Sequence, residues 1–292
     1  MTELDLPTWE YQMARPSSAV KPWVSAYSGY REAIGYPICR LEVPKARVIL
    51  ILGFGDGLRI RSADAKLKPS QYRAFVVGLN ERSLLVEHGG AQCGIEVELV
   101  PWAAQRLFGR AASELAQQVT ALEDVWGSRA NSLVNQLGEM PSWEERFHLV
   151  EKFLATRFTS SNQTARQEIQ WAWKQLEQRK GCIPIRNLAK SIGWSDRYFA
   201  TCFKEQIGIT PKAAARRLRF NHAQRLLSSP EPVPLSEIAA TCGYSDQSHF
   251  TREFRAFSQC SPAVYRKAQF ETLAGTSGNA IQLVERSNLF KT

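Results

Sequence analysis

No run of about eighteen consecutive apolar residues occurs in this 292-residue chain, so no segment reads as a membrane-spanning helix. The opening stretch MTELDLPTWEYQ carries acidic side chains and no apolar core, which predicts that it is not a signal peptide. Cysteine occurs six times, at 39, 93, 182, 202, 242 and 260, with no CxxC or Cys/His ligand spacing. That scatter predicts reduced core thiols of a cytoplasmic protein and no metal site. Glycine-rich phosphate loops, GxSxG elbows and HExxH helices are also missing. His88 ends the strand-like SLLVEH and reads as a turn or core residue. His148, beside Phe147, reads as surface or interhelical. Glu96 and Glu98 share a strand face but lack a nucleophile or metal partner in sequence. The expectation is a protein that is not an enzyme and holds no cofactor.

What the chain does have is positive charge in one place. Lys and Arg outnumber Asp and Glu by 37 to 28, a net charge of +9. Residues 166–270 hold 17 basic and eight acidic side chains, while the rest of the chain holds 20 of each. The whole excess therefore lies in the C-terminal third, as a polyanion partner such as double-stranded DNA requires.

The same third repeats itself. IPIRNLAKSIGWSDRYFATCFKEQIGITP (183–211) is answered by VPLSEIAATCGYSDQSHFTREFRAFSQCSP (233–262). Leu188, Ala189, Gly193, Trp194, Ser195 and Asp196 meet Ile238, Ala239, Gly243, Tyr244, Ser245 and Asp246. After a one-residue gain, Phe199 and Phe203 meet Phe250 and Phe254. In each copy a proline opens a short helix and glycine ends it in a left-handed turn. Ser195 or Ser245 then caps a second helix that buries phenylalanines at i and i+4. Helix, glycine turn and capped helix are the sequence form of a helix-turn-helix.

Two such units joined by TPKAAARRLRFNHAQRLL (210–227) resemble the DNA-binding domain of the AraC/XylS family of transcription regulators. GYSDQSHFTREFRAFSQCSPAVYRK (243–267) lies close to the family signature. The resemblance implies two reading helices. Base-reading positions are then Arg197, Ala200 and Thr201 in the first unit, with Gln247, Ser248, His249 and Arg252 in the second. Arginine pairs with guanine, glutamine with adenine, and threonine touches a thymine methyl. Lys204, Lys212, Arg216, Arg217 and Arg255 are assigned to phosphates. RNA polymerase is a further partner that the family implies.

The fold class expected is α+β, with a β-rich first domain and an all-α second. Domain limits are placed at 1–162 (β-rich to 100, helical from 101), 163–270 and a tail at 271–292 with no interpretable signal. The first 40 residues offer no sustained period. Strands are read at 47–52, around LRI at 58–60, and at 72–79, 83–88 and 94–100, separated by glycine turns; such short strands suggest a barrel or sandwich. Family members commonly carry a cupin-like sensing barrel here. Helices are read at 113–122, 128–137, 142–158 and 165–181. In the third, Ser142 and Glu145 form a capping box before the apolar stripe Trp143, Phe147, Val150 and Leu154. That stripe either packs on its own domain or forms a homodimer interface.

A small-molecule effector pocket is assigned to Trp23, Tyr27, Tyr30, Tyr36, Arg40, Glu42 and Arg47, aromatic walls with a few charged groups at a barrel mouth. The favoured function is a sequence-specific DNA-binding regulator under effector control. Two alternatives stand beside it: a regulator whose first domain only dimerises or binds a protein, and an enzyme fused to a DNA-binding module.

Overall fold

The computed structural model describes residues 8–63, 69–109, 112–161, 164–271 and 280–283. Its strands are β1 (Thr8–Ala14), β2 (Val24–Ala33), β3 (Ile38–Glu42), β4 (Val48–Gly53), β5 (Leu58–Ser62), β6 (Ser70–Tyr72), β7 (Ala74–Val77), β8 (Leu84–His88) and β9 (Ala91–Leu99). After them come α1 (Ala103–Phe108), α2 (Ala112–Leu115), β10 (Val119–Ala121), α3 (Glu123–Trp126), α4 (Ser128–Glu139) and α5 (Trp143–Thr159). The C-terminal part is helical: α6 (Gln167–Gln178), α7 (Ile185–Ser191), α8 (Asp196–Ile207), α9 (Pro211–Leu227), α10 (Leu235–Thr241), α11 (Gln247–Ser258) and α12 (Pro262–Glu271). A short strand, β11 (Ala280–Leu283), returns from the tail to pair with β3. The expected α+β class holds, and no helix among the described residues is long and apolar enough to cross a membrane. Residues 162 and 163, where the domain boundary was expected, lie outside the described residues.

The strands form two antiparallel sheets, ordered β1-β2-β9-β4-β7-β10 and β11-β3-β8-β5-β6. These share no strand and face each other across a cavity, a flattened two-sheet barrel rather than a closed one. Side chains alternate across each strand, so β4 sends Leu50 and Leu52 to one face and Ile49 and Ile51 to the other. The Leu50 face belongs to the large core shared with the helices, and the Ile49 face lines a cavity between the sheets. β2 was invisible to apolar periodicity because its cavity-facing residues are Ser28, Tyr30 and Glu32, all polar. One further expectation fails: 113–122 is not a continuous helix, since Val119–Ala121 pairs with β7 as an edge strand.

Helix α5 begins as its sequence predicts. Ser142 accepts from the Glu145 N–H, and the Glu145 side chain accepts from the Ser142 N–H. Its apolar stripe is spent inside the domain. Val150 and Leu154 are fully buried, while Trp143 and Phe147 close over Gly29 and Tyr27 of β2. A Cβ at Gly29 would stand 2.4 Å from the Trp143 ring, so glycine lets this helix approach the sheet. The stripe is therefore not an exposed dimer face.

The two helix-turn-helix units are not equivalent in their packing. The first buries Phe199 and Phe203 in the same core as the barrel and its helices. The second has a core of its own around Phe250, Phe254, Phe257 and Tyr265, joined by Leu41 and Leu85 from the smaller sheet and by Val43 just after β3. Gly193 (φ +72°) and Gly243 (φ +71°) take the left-handed turn conformation. Ser195 caps α8 as expected, accepting from the Tyr198 N–H. In the second unit the cap is Asp246 rather than Ser245. Its carboxylate accepts from the His249 N–H at 2.7 Å, and Ser245 donates to it in turn.

Candidate functional site

Helix α8 turns Phe199, Cys202 and Phe203 inward and leaves Arg197, Thr201 and Lys204 exposed. Ala200 is half-buried, consistent with a minor part in readout. Tyr198 belongs to this face too and was missed by sequence reasoning. It is 45 % exposed, and its hydroxyl accepts from Arg166 at 2.7 Å. Only its place beside Arg197 on a capped helix could have signalled it.

Helix α11 gathers its predicted residues more tightly. Gln247, Ser248, Arg252 and Arg255 line one shallow depression, with Thr251 as an unpredicted fifth member. His249 is half-buried, its ring edge-on to Tyr244 and its Nδ1 3.1 Å from Ser245 Oγ. Hydrogen bonds from the His249 N–H and Ser245 keep the Asp246 carboxyl below the usual carboxylate range.

The connector α9 divides its arginines between two surfaces. Lys212 is exposed as expected. Arg216 leans on α11, pairing with Glu253 at 2.9 Å and lying over the Phe257 ring. Arg219 joins the same carboxylate at 3.3 Å. Arg217 corrects the sequence reading, because it is 1 % exposed and points into the barrel cavity, out of reach of a phosphate. Residues one apart on a helix lie about 100° apart, which sends the neighbours Arg216 and Arg217 to different partners.

That cavity, about 160 Å³, lies between the two sheets. Ile49, Ile51, Leu58, Ile60, Phe75 and Val86 form an apolar half. The other half is polar and mostly paired. Arg40 binds Glu32 with both guanidinium nitrogens, one at 2.7 Å, and Gln92 donates to the same carboxylate at 2.8 Å. His88 lies 3.5 Å from Glu32, and desolvation holds its ring below the usual histidine range. Lys45 bridges Glu96 and Glu98. Glu42 is raised above the usual carboxylate range, chiefly by burial.

Of the seven residues expected to form an effector pocket, Tyr30, Arg40, Glu42 and Arg47 line this cavity. Trp23, Tyr27 and Tyr36 do not. Trp23 stacks on Phe158 at 4.6 Å under Arg106, and Tyr27 packs against Phe147 on the helix side of the sheet. Tyr27 and Tyr30 are an odd number of residues apart on one strand and so face opposite ways. Tyr36 is 53 % exposed in the β2–β3 turn. The sequence missed the apolar half, whose residues read simply as strand core.

The barrel and the helical part touch through the segment between β3 and β4. Asn221 of α9 accepts from the Ala46 N–H at 2.8 Å and donates to the Pro44 carbonyl at 2.9 Å. Arg217 donates to the Lys45 carbonyl at 2.9 Å, and Arg47 pairs with Glu177 of α6.

Residues 188–268 match a family model described as a helix-turn-helix domain. An uncharacterised HTH-type transcriptional regulator of Bacillus subtilis, YisR, is 30 % identical over 106 residues, 36 % of this chain and 37 % of that protein. The HTH-type transcriptional activator RhaS of Escherichia coli is 34 % identical over 82 residues, 28 % of this chain and 29 % of that protein. The chain therefore spans well under two thirds of these relatives, and the likeness concerns the helical third. Among solved structures, ToxT of Vibrio cholerae aligns over 91 % of this chain and 99 % of its own, at 11 % identity and a TM-score of 0.48.

The exposed cluster yields a graded expectation. Arg197→Ala and Arg252→Ala should each cost about 1–3 kcal/mol on a preferred duplex and relax base preference locally. Lys212→Ala should weaken every duplex about equally. Competitive titration against scrambled duplexes separates the two; uniform losses for the arginine variants would make them phosphate contacts.

Proposed function

We propose that this chain, whose residues 188–268 match a helix-turn-helix domain and whose two repeats resemble the AraC type, is a sequence-specific DNA-binding transcription regulator under small-molecule control. The observation carrying the DNA part is the polar face of α11, where Gln247, Ser248, Thr251, Arg252 and Arg255 converge. A capped helix presenting arginine and glutamine from its first turns matches the donor and acceptor pattern of major-groove base edges. The first unit repeats this geometry with a sparser set, Arg197, Thr201 and Lys204.

Effector control rests on the cavity. Its apolar and ionic halves suit a small amphipathic molecule, and its rim is tied to α9 by Asn221 and Arg217. A ligand shifts such an equilibrium only through unequal affinity for the two states. The cavity favours this reading over one in which the first domain merely dimerises or holds a protein. The relatives above are named as transcriptional regulators, which favours regulation over an enzyme fused to a DNA-binding module. A cytoplasmic location, pairing with a second copy and contact with RNA polymerase complete the reading on family resemblance.

Sequencing duplex fragments retained by the full chain, with and without a set of small metabolites, tests both parts. Enrichment of a shared sequence supports readout, and a metabolite that alters its affinity by roughly 5–150-fold supports control. Fragments with no common sequence would refute the first. A common sequence indifferent to every compound that binds the barrel would refute the second.

A further inference from the structure

Arg217 presents a buried cation with one edge unused. Its Nη1 donates to the Lys45 carbonyl, yet Nε and Nη2 are buried and have no hydrogen-bond partner. Three other cations of the cavity lining are neutralised: Arg40 by Glu32, Lys45 by Glu96 and Glu98, and Arg47 by Glu177. Glu81 acts on Arg217 only through longer-range attraction, while burial pulls the guanidinium down to about 9, leaving it charged near neutral pH. An isolated buried charge is costly, and a fold that retains one usually supplies a counter-charge.

The geometry of the vacant edge narrows what that counter-charge is. Nε–H and Nη2–H lie side by side on a guanidinium and form the fork that a carboxylate meets with two parallel hydrogen bonds. Arg217 shares the cavity lining with the aliphatic side chains Ile49, Ile51, Ile60 and Val86. We propose that the cavity binds an organic acid with an apolar body, its carboxylate seated on the Nε–Nη2 edge of Arg217. This deepens the effector reading above and rests on it.

The position of the residue gives the acid a lever. Arg217 comes from α9, the helix joining both helix-turn-helix units, so the bound acid is held by the barrel and the DNA-binding part at once. Its neighbour Arg216 grips Glu253 of α11, and Asn221, one turn on, holds the β3–β4 segment. Occupancy therefore strengthens the barrel's hold on α9 and biases how the two reading helices are carried.

The test uses full-length protein, thermal melting at fixed ionic strength, calorimetric titration, and titration of a selected duplex with and without each acid. The probes are acetate, hexanoate, benzoate and 3-cyclohexylpropanoate, each beside its primary amide, with inorganic phosphate as a separate arm. Among the larger acids at least one is expected to bind wild type about tenfold or more tightly than its amide, since a charge-assisted fork is lost in the amide. Arg217→Met should erase that ratio, and Arg217→Lys, a point charge without the fork, should restore only part of it. Ligand-free Arg217→Met should melt no lower than wild type, because it removes an unpaired buried charge.

Four results would overturn the proposal: no acid preferred over its amide; a preference that survives in Arg217→Met; stabilisation by phosphate alone; or a ligand-free Arg217→Met chain melting several degrees lower, which would make Arg217 a fastener. An amide stabilising both chains equally would keep the barrel as a ligand site while removing Arg217 from it. Conversely, an acid that binds through Arg217 without altering DNA affinity would keep the anion seat and defeat the regulatory reading.

Discussion

Phe254→Ala is expected to cost about 3–5 kcal/mol of folding stability, the usual price of emptying a large aromatic site. Phe254 is fully buried, with its ring 4.9 Å from Phe220, 5.6 Å from Phe250 and 5.3 Å from Tyr265. These neighbours come from α9, α11 and α12, so one side chain holds together three helices of the second unit. For a domain of roughly 100 residues the loss corresponds to a fall in melting temperature on the order of 10–40 °C. Calorimetry should see the lowered transition, and affinity for a preferred duplex should fall with it because α11 loses its seat. A shift of only a few degrees would mean that the second unit is held elsewhere.

The second large effect is ionic. Exposed cations on the reading helices and the start of the connector are Arg197, Lys204, Lys212, Arg252 and Arg255. If all five meet phosphates or displace counterions, log affinity should fall against log salt with a slope near −4.5, at about 0.9 per neutralised charge. Raising salt from 50 to 200 mM would then weaken binding roughly 500-fold. Counting Arg216 and Arg217 as well, as the sequence suggested, would steepen the slope to about −6.3. The smaller value is expected, because Arg216 is engaged with Glu253 and Arg217 lies in the barrel. Lys212→Ala should reduce the magnitude by about 0.9. A salt-insensitive affinity would contradict the assignment of this face to DNA.

The two reading helices were legible in sequence because a helix-turn-helix is a local device. A glycine with positive φ, a capping side chain and phenylalanines at i and i+4 are all fixed by residues near one another in the chain. Even the cap that moved, from Ser245 to Asp246, moved by one position. The arginines of α9 were not legible in the same way. Arg216 and Arg217 look alike in sequence, and only packing of the barrel against α9 decides which of them is buried. The same holds for β2, whose polar inner face hides its strand character until a cavity requires Ser28, Tyr30 and Glu32 there. Conversely, Trp23 and Tyr27 look like pocket aromatics by composition, yet strand parity sends Tyr27 to the helix side of the sheet. Local chemistry determined the helix-turn-helix units; the cavity proposed as a ligand site depends on contacts between segments up to about 180 residues apart, such as Pro44 with Asn221.

Selecting bound duplexes from a random library shows whether one chain reads DNA with two separate helices. Two blocks of base preference are expected, centred about one helical turn, 10–10.5 base pairs, apart. Arg197→Ala should blur one block and Arg252→Ala the other. A single block that both variants blur alike, or no block at all, would contradict reading by two separate helices.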